Sequence, residues 1–517
     1  MRKDRILWAD DEMDLLTPYR LFLEEKGYEV VTTTNGKDAI DLCQTEKFDI
    51  IFLDENMPGL SGLETLSLIK DIDPDVPMVM ITKSEEEDIM NMAIGNKIAD
   101  YLTKPVNPSQ ILLTLKKNIH RKDIITEHNT QSYQSEFREI GNQINNSKTY
   151  EEWIDIYKKL VYWELELSDT DNSMGQMLID QKSEANITFA KFIKNNYQSW
   201  FVENAVRPLM SPDIFKTKVF PSLDNGEKVF FVLVDNFRYD QWKVIRELLS
   251  EYYNFDEEEL YCGILPTATQ YARNSIFAGL MPAQIQKLYP NLWVEEEEED
   301  GKNLFEKDLI QTQLTRFRKN YSFSYHKIND SASCERLIDQ LPRIDHNQLN
   351  VCVLNFIDML SHARTDSKMM RELANDSNAY RSLTLSWFKH SSIHDLFKAI
   401  ALRGYKVVLT TDHGTIQVNN PIKIASDKNI NSNLRYKTGK FISYNAKEVF
   451  EITQPAKVGL PSAHLSSSYI FACKNDFFTF QNHNYNQYLS MYQHSFQHGG
   501  VSMEEMLIPL VTMQPKN

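Results

Sequence analysis

Residues 49–62 read DIIFLDENMPGLSG, a short apolar run followed by Asp54 and a turn that leads into a helical pattern. The run 49–53 predicts a buried strand that ends at the Asp54 carboxylate, and residues 62–72 have the apolar spacing of a helix. The same alternation fills the first 120 residues, in the apolar runs 5–9, 77–81 and 99–102 and the helical stretch 15–26. Alternating strands and helices predict an α/β unit, a parallel sheet covered by helices on both faces.

Charged and hydroxyl side chains stand at the ends of these predicted strands. Functional sites of parallel α/β sheets form at the carboxyl ends of the strands, where the sequence places Asp10, Asp11, Asp54, Thr82 and Lys104. Three converging carboxylates would repel one another unless they bind a divalent cation, and ligation by oxygen alone favours Mg²⁺. Asp54 can then attack a phosphoryl group as a nucleophile, while Lys104 balances the charge of the product and Thr82 donates a hydrogen bond to it.

This set of residues, together with LDENMPGLSG at residues 53–62, resembles the receiver domains of two-component response regulators, which have a doubly wound, flavodoxin-like fold. The resemblance implies phosphorylation of Asp54 by a cognate histidine kinase. It also implies a switch role for Tyr101 and a homodimer that phosphorylation promotes through the face bearing Tyr101. Lys83 departs from the family pattern, which usually has a small residue there, and this departure bears on the lifetime of the phosphoryl group rather than on its formation.

Length and composition bound the rest of the chain. A chain of 517 residues is too long for one core, since single cores stop growing at roughly 250–300 residues. We predict a receiver at 1–120, a connector at 121–222 and a third domain at 223–517. The net charge of −16 argues against broad, non-specific binding to DNA or to an anionic membrane.

The N-terminus and the cysteines indicate the compartment. Asp10, Asp11 and Glu12 interrupt any apolar leader, and no stretch approaches the ~20 apolar residues of a spanning helix. The five cysteines include no C-x-x-C pair, which is typical of reduced thiols. The sequence therefore predicts a cytoplasmic protein without membrane insertion.

Residues 121–222 have little strand pattern. The stretches 150–167 and 185–201 carry apolar residues, several of them aromatic, at helical spacing. We interpret the segment as a small helical bundle that connects the two α/β units. A disordered linker is the alternative, but tryptophans at regular spacing do not suit disorder.

Buried-strand patterns return in the apolar runs 229–234, 351–357, 407–411 and 469–473 and predict a second, larger α/β unit. The first three runs each lead to a carboxylate, and two of these have a histidine nearby: Asp235, Asp358 with His362, and Asp412 with His413. Apolar strands have no structural use for three carboxylates at one edge, so we predict a metal centre. Mixed Asp and His ligands suit Zn²⁺ or Mn²⁺ better than Ca²⁺ or Mg²⁺.

His498, in the segment QHGGVSMEEMLIP at 497–509, is a further candidate ligand. The alternative is a histidine that merely precedes a glycine turn. On the residues alone, both interpretations stand.

Residues 223–517 resemble the alkaline phosphatase superfamily and, within it, the PglZ-type branch, with an α/β/α fold. The resemblance implies two metal sites, with the ligands Asp235, Asp412 and His413 in one and Asp358, His362 and His498 in the other. Residues 265–282, LPTATQYARNSIFAGLMP, resemble the nucleophile segment of the superfamily's nucleotide phosphodiesterases. This similarity implies that Thr269 is the nucleophile and a metal contact, with Thr267 as the alternative. Arg238 and Arg273 are candidates for binding phosphate.

The resemblance implies a phosphodiesterase or phosphatase with two Zn²⁺, or Mn²⁺, that acts on a nucleotide-type phosphodiester through a phosphothreonine. A phosphomutase of the same superfamily is an alternative. A receiver, a helical connector and a PglZ-type unit together resemble the response regulators of the type IX secretion system. That similarity implies control of secretion and a sigma factor or a secretion-system component as a partner.

Two other function classes compete with an enzyme. One is a phosphorylation-controlled interaction scaffold or transcription co-regulator with a non-catalytic phosphatase-like domain, although the complete set of candidate ligands argues against it. The other is a DNA-binding transcription factor, which lacks support because the sequence has no helix-turn-helix pattern and has the wrong net charge.

Overall fold

The computed structural model describes residues 3–83, 98–119, 121–168, 173–295, 301, 303–366, 368–426, 431–439, 442–462, 468–480 and 485–516. Contacts divide the chain into two compact units, Met1–Ser132 and Tyr133–Asn517. Most of the predicted connector therefore packs with the C-terminal domain, and the boundaries at 120 and 222 stay predictions. No helix in the described part of the chain is both long and apolar enough to cross a membrane.

The first unit is built on five strands: β1 (Arg5–Ala9), β2 (Glu29–Thr33), β3 (Ile50–Asp54), β4 (Met78–Thr82) and β5 (Asp100–Thr103). They form a parallel sheet in the order β2-β1-β3-β4-β5. Its described helices are α1 (Met13–Glu25), α2 (Gly36–Thr45), α3 (Gly62–Ile72) and α4 (Pro108–Asn118).

Alternate residues of the receiver strands point to opposite faces of the sheet. Ile6 packs with Leu23 of α1 and Ile111 of α4 on one face, and Leu7 packs with Leu66 of α3 on the other. Two buried faces explain why these strands are almost continuously apolar. The predicted doubly wound fold is confirmed, with β3 and β4 each beginning one residue later than their apolar runs.

The long helices in the described part of the connector are α5 (Arg121–Asn146), α6 (Tyr150–Glu166) and α7 (Ser173–Asn196). Thr149 begins α6 with a capping box that includes Glu152. Trp153 of α6 is fully buried and packs edge-on against Phe189 of α7, with ring centroids 5.4 Å apart. The helical prediction is confirmed, but α7 begins well before residue 185, and residues Tyr197–Phe201 form a 3₁₀ turn instead of its last turns.

In the described residues of the C-terminal domain, six strands form a main sheet and eight form three small sheets. The strands are β6 (Val229–Val234), β7 (Tyr253–Cys262), β8 (Phe323–Ile328), β9 (Leu349–Leu354), β10 (Lys406–Thr410), β11 (Ile416–Gln417), β12 (Asn420–Ser426), β13 (Tyr436–Gly439), β14 (Ile442–Ser443), β15 (Val449–Ile452), β16 (Ser468–Ala472), β17 (Asp476–Phe480), β18 (Phe496–Gln497) and β19 (Leu507–Pro515). The main sheet has the order β7-β19-β10-β6-β9-β8. The small sheets are β11-β18, β14-β12-β17 and β13-β16-β15.

Helices flank this sheet and connect its strands. They are α8 (Phe220–Asp224), α9 (Tyr239–Leu249), α10 (Thr269–Ala278), α11 (Pro282–Leu288), α12 (Glu306–Arg316), α13 (Ser331–Ile344), α14 (Phe356–Asp366), α15 (Lys368–Leu373), α16 (Ser377–His390), α17 (Ser392–Ala401), α18 (Tyr485–Tyr492) and α19 (Met503–Met506). Shorter turns are the 3₁₀ turns Ser211–Asp213, Pro290–Leu292 and Pro455–Val458 and the π-helical turn Phe215–Val219.

Strands β9, β6 and β10 are parallel neighbours, so their carboxyl ends meet at one edge of the main sheet. One expectation about this edge was wrong. The apolar run 351–357 is not all strand, because β9 ends at Leu354 and α14 begins at Phe356, which places Asp358 in the first turn of a helix. The predicted strand at 469–473 is β16, which belongs to a small sheet and not to the main one.

Candidate active sites of the two units

The receiver site lies where β1 and β3 end side by side. Ala9 pairs with Leu53, so Asp10 and Asp54 are neighbours. The Lys104 ammonium lies 2.8 Å from an Asp10 oxygen and 3.0 Å from an Asp54 oxygen. Burial raises the pKa of Asp54, and Lys104 opposes that rise. Asp10, Asp11 and Asp54 each offer an oxygen within 4.8 Å of the others, so one lysine faces three carboxylates and a divalent cation fits the remaining charge.

The other predicted receiver residues surround this acidic centre. Thr82, the last residue of β4, donates a hydrogen bond from its hydroxyl to the Glu55 carboxylate. Tyr101 is half-buried in β5. Lys83, which departs from the family pattern, pairs with Glu12 at 2.9 Å, and Glu12 also lies 3.6 Å from Lys104. Through Glu12, Lys83 therefore forms an ion pair at the edge of the receiver site.

The C-terminal domain brings the six candidate ligands together in two groups. Ligand atoms of Asp235, Asp412 and His413 lie within 4.8 Å of one another, and so do those of Asp358, His362 and His498. The first group is fully buried, whereas His362 is largely exposed in the second. We call them the inner and the outer ligand group.

The pairing of β6 with β10 brings Asp235 and Asp412 of the inner group together. Helix α14 carries two residues of the outer group. Leu233 pairs with Thr410, so Asp235 and Asp412 emerge side by side. Asp358 and His362 are one turn apart on α14, with His362 Nε2 3.4 Å from an Asp358 oxygen. His498 follows β18 and lies 3.9 Å from Asp358.

Hydrogen bonds fix the tautomers of the two buried histidines. His413 Nδ1 lies 3.1 Å from the Gly414 carbonyl oxygen, and His498 Nδ1 lies 3.2 Å from the Thr267 carbonyl oxygen. A carbonyl can only accept, so both Nδ1 atoms carry the proton and both Nε2 atoms keep a lone pair. The Nε2 lone pair of His413 accepts a hydrogen bond from the Thr269 hydroxyl, 3.1 Å away. Burial lowers the pKa of His498 to about 3, with His413 adding to the effect. A neutral imidazole held by its second nitrogen is the form that binds metals.

A buried arginine ties the inner carboxylates together. The Arg273 guanidinium forms an ion pair with Asp235 and bonds to Asp412 at 2.9 Å and to Glu306 at 3.2 Å. Burial raises the pKa of Asp235 well above its usual range, although Arg273 opposes the rise and Asp412 adds to it. The other Asp235 oxygen, Oδ1, is buried without a hydrogen-bond partner among the described residues. Such an oxygen, beside two further ligands, fits a metal ion.

Asn236 connects the two ligand groups. Its backbone N–H donates to Asp412 at 3.4 Å, and its side-chain amide donates to Asp358 at 3.3 Å. The residue has φ of +62°, a left-handed conformation that asparagine tolerates better than most residues. Sequence reasoning missed it, although an asparagine directly after a strand-ending aspartate was a usable signal.

The structure separates the roles of the two candidate nucleophiles. Thr269 is the first residue of α10, and its hydroxyl lies 3.1 Å from His413 Nε2. Thr267 is fully buried, and its hydroxyl donates to the Gly500 carbonyl at 2.9 Å and accepts from the Gly499 N–H at 3.1 Å. Thr267 therefore holds the segment that carries His498, whereas the Thr269 hydroxyl faces the ligands.

Neither candidate phosphate-binding arginine is available for that role. Arg273 is engaged by three carboxylates, and Arg238 is held by Asp240 at 2.6 and 2.8 Å. Both are almost fully buried. Glu306, a partner of Arg273, was missed as well, since nothing in the local sequence links it to a residue 33 positions away.

Comparisons with protein families agree with this architecture. Residues 6–116 match the response regulator receiver domain, residues 123–201 the PorX response regulator linker domain, and residues 214–513 the BREX system PglZ alkaline phosphatase-like domain. Fold and matches together define a response regulator that joins a receiver to an alkaline phosphatase-like domain, and a receiver domain implies a cognate histidine kinase. The PglZ match covers more than half of the chain, and the chain belongs to the PglZ family.

Individual relatives share a smaller region. The regulatory protein PhoP of Bacillus subtilis, named for alkaline phosphatase synthesis, is 33% identical over 122 residues, 23% of this chain and 50% of PhoP. The response regulator SaeR of Staphylococcus epidermidis is 32% identical over 26% of this chain and 57% of SaeR. The chain thus spans about half the length of these relatives. A CheY-like receiver structure from Methanospirillum hungatei is 25% identical, covering 23% of this chain and 96% of that one with a TM-score of 0.23.

Asp54→Ala is expected to abolish labelling of the receiver by acetyl phosphate, because Asp54 is the carboxylate that the Lys104 ammonium and the Asp10 side chain surround. Phosphate incorporation measured on intact protein by mass spectrometry tests this. Asp71→Ala, which removes an exposed carboxylate of α3, is the matched control and should label normally. Equal labelling of all three proteins would contradict the assignment.

At the zinc site predicted for the inner group, Arg273→Lys is expected to lower the affinity by about 10- to 100-fold, the usual cost of losing a group that orients metal ligands. Lysine keeps the positive charge but cannot reach Asp235, Asp412 and Glu306 at once. Competition with a chromophoric chelator gives the affinity. Arg316→Lys, which alters an arginine that donates to carbonyls at the end of α10, should leave it unchanged. An unaltered zinc affinity in Arg273→Lys would show that Arg273 does not orient the ligands.

Proposed function

We propose that this chain is a response regulator of the PorX type, in which phosphorylation of Asp54 controls a zinc-dependent phosphodiesterase or phosphatase. The position of Thr269 carries the proposal. Its hydroxyl lies 3.1 Å from His413 of the inner group, and the His413 ring stacks on the His498 ring of the outer group at 4.1 Å. One nucleophilic oxygen therefore stands beside the pair of histidines that joins both ligand groups.

The proposed cofactor is a pair of Zn²⁺ ions, with Mn²⁺ as the alternative, held by the two ligand groups, and Mg²⁺ is proposed for the receiver. When bound, zinc supplies the positive charge that stabilises an alkoxide and the oxygens of a transferred phosphoryl group. The unprotonated Nε2 atoms of His413 and His498 support this assignment. So does Asp235 Oδ1, which has no hydrogen-bond partner among the described residues.

The chain's own residues perform the remaining tasks. The Thr269 oxygen attacks phosphorus and displaces one alcohol, which takes up the threonine proton. A diester substrate leaves a threonine-linked phosphodiester, and a monoester leaves a phosphothreonine. Water then attacks phosphorus, which releases the phosphate product and restores the Thr269 hydroxyl. Thr269 begins α10, and Ala268 offers no side-chain cap. The N–H groups of Thr269 and Gln270, which donate to no described residue, can bind a phosphoryl oxygen. Asn236 keeps the carboxylates of the two groups apart at a fixed spacing.

The proposed substrate is a phosphodiester of the nucleotide or oligonucleotide type. The similarity of residues 265–282 to the nucleophile segment of nucleotide phosphodiesterases supports it. The match of residues 123–201 to the PorX linker domain supports a role in type IX protein secretion, in the cytoplasm, with a sigma factor or a secretion-system component as partner.

Thr269→Val is expected to keep the fold and the bound zinc but to lose most hydrolysis of bis-nitrophenyl phosphate, since only the nucleophilic oxygen is removed. Thr269→Ser retains an oxygen and should keep much of the rate. Release of nitrophenol at saturating zinc is the measurement, with melting temperature and zinc content recorded for each variant.

Thr267→Val provides the comparison for the neighbouring hydroxyl. It loses two buried hydrogen bonds and should cost about 1–3 kcal/mol of stability, while hydrolysis at saturating zinc is retained. Loss of hydrolysis only in Thr267→Val would move the nucleophile by two residues. If no ester is hydrolysed with any metal while the protein still binds a partner, the scaffold interpretation replaces the enzyme.

Phosphorylation is expected to convert the protein to a homodimer through the receiver face that carries Tyr101. The expectation rests on the behaviour of related receivers. Light scattering with and without beryllofluoride, a phosphoryl mimic, should show a doubled mass only with the mimic. Asp54→Ala should remain monomeric under both conditions, and an unchanged mass in the wild type would count against dimer control.

A further inference from the structure

A group of buried charges lies between the connector and the C-terminal domain, close to the candidate active site. We call it the connector ion cluster. Glu164 of α6 and Lys182 of α7 come from the connector, and four residues come from the C-terminal domain: Arg238, Asp240, Arg381 and Glu504. The charges of the three acidic and three basic side chains sum to zero. The six side chains are only 3–18% exposed.

Ion pairs link the six side chains into one continuous series. Glu164 contacts Lys182 at 2.5 Å and Arg381 at 2.9 Å. Arg381 contacts Asp240 at 2.9 Å, and Asp240 contacts Arg238 at 2.6 Å. On the other side, Lys182 lies 3.5 Å from Glu504. Although burial opposes it, Lys182 and Arg381 lower the pKa of Glu164, so its carboxylate stays charged.

Arg238 stands at one end of this series of ion pairs and contacts two segments that carry candidate ligands. Arg238 follows Asp235 by three residues and precedes α9. Its guanidinium lies over the ring of Phe496, 5.4 Å from the centroid, and over that of Tyr380 at 5.5 Å. Phe496 is two residues before His498. The arginine that the cluster fixes therefore packs between the segments that carry Asp235 and His498.

Glu504 stands at the other end of the series of ion pairs, and its backbone packs against the segment that carries His413. Gly414 directly follows His413, and a Cβ atom there would collide with the Glu504 carbonyl oxygen. The connector also fixes this backbone, because Asn186 of α7 donates to the Glu504 carboxylate at 2.9 Å and accepts from the Met503 N–H at 2.8 Å. Segments that carry three ligands thus rest on groups that the connector holds.

We propose that Glu164 and Lys182 of the connector are positioning residues for the metal centre: through the ion cluster they set the backbone positions of the segments that carry Asp235, His413 and His498. The inference rests on the proposed function for its catalytic consequence, but its geometry concerns the ligands alone. A conformational change that separates Glu164 from Lys182 or Arg381 would reach the ligands, because a buried charge cannot stay unpaired in place.

Charge removal at the connector side of the cluster tests this in the full-length protein. Glu164→Gln keeps the shape and removes one charge, which leaves Arg381 and Lys182 short of an anion. We expect zinc affinity, measured by chelator competition far below the melting temperature, to fall by about 3- to 10-fold, less than for groups that touch the ligands directly. For bis-nitrophenyl phosphate, kcat should fall while KM changes little.

A double variant and a matched control separate positioning from simple stability. Glu164→Gln with Lys182→Met removes one acid and one base, so the net charge of the cluster stays balanced. Zinc affinity should nevertheless stay reduced, because Arg381 and Glu504 both lose their connector partners; recovery to the wild-type value would show that net charge, and not position, matters. Glu139→Gln makes the same substitution in an exposed connector pair with Lys159 and should change nothing. Should Glu164→Gln not fold, Glu164→Asp keeps the charge but shortens the reach, and its zinc affinity should then be reduced.

The outcomes are distinguishable. Wild-type zinc affinity and kcat in folded Glu164→Gln or Glu164→Asp, with only the melting temperature lowered, would overturn the positioning role while the proposed enzyme stands. A wild type that binds zinc but cleaves no ester would refute the proposed function, and the zinc affinities of the variants would still decide whether the connector positions the ligands.

Discussion

Carboxylates that lie close together repel one another, and each unit of this chain gathers three where neighbouring parallel strands end. Neither group could persist without a nearby cation. In the receiver the Lys104 ammonium lies between Asp10 and Asp54, and in the C-terminal domain the Arg273 guanidinium binds Asp235 and Asp412. In both places one fixed cation leaves negative charge in excess, which is the condition for recruiting a divalent metal.

The two cations differ in a way that suits their sites. Lys104 is partly exposed, and its point charge can follow an oxygen that changes on phosphorylation. Arg273 is fully buried, and its planar fork holds three carboxylates at once. Since Arg273 and Thr269 are one turn apart on α10, the same helix that orients the inner ligands also presents the hydroxyl beside them. The Asp235 and Asp412 carboxylates and the Thr269 hydroxyl are thus positioned by one rigid element.

The connector is more than a spacer in this arrangement. Its aromatic core is continuous with that of the C-terminal domain, and its charged side chains end in the connector ion cluster beside the ligand segments. Glycine at 414 and at 500 is required there because another backbone or a buried arginine occupies the space of a side chain. Close packing of this kind transmits small displacements instead of absorbing them.

The sequence by itself determined the fold class, since apolar runs separated by helical spacing specify strands and helices through local periodicity. It also pointed to Asp54 and to Asp235, Asp358, His362, Asp412 and His413, because parallel strands end at a common edge. His498 was a candidate with an open alternative, and the resemblance to the PglZ-type branch placed it among the ligands. Only the tertiary structure decided that Asp358 stands on a helix, that Thr267 braces the His498 segment while Thr269 faces the ligands, and that Arg273 and Arg238 serve carboxylates. Those roles depend on contacts between residues far apart in the chain, such as Arg273 with Glu306, and no local pattern encodes them.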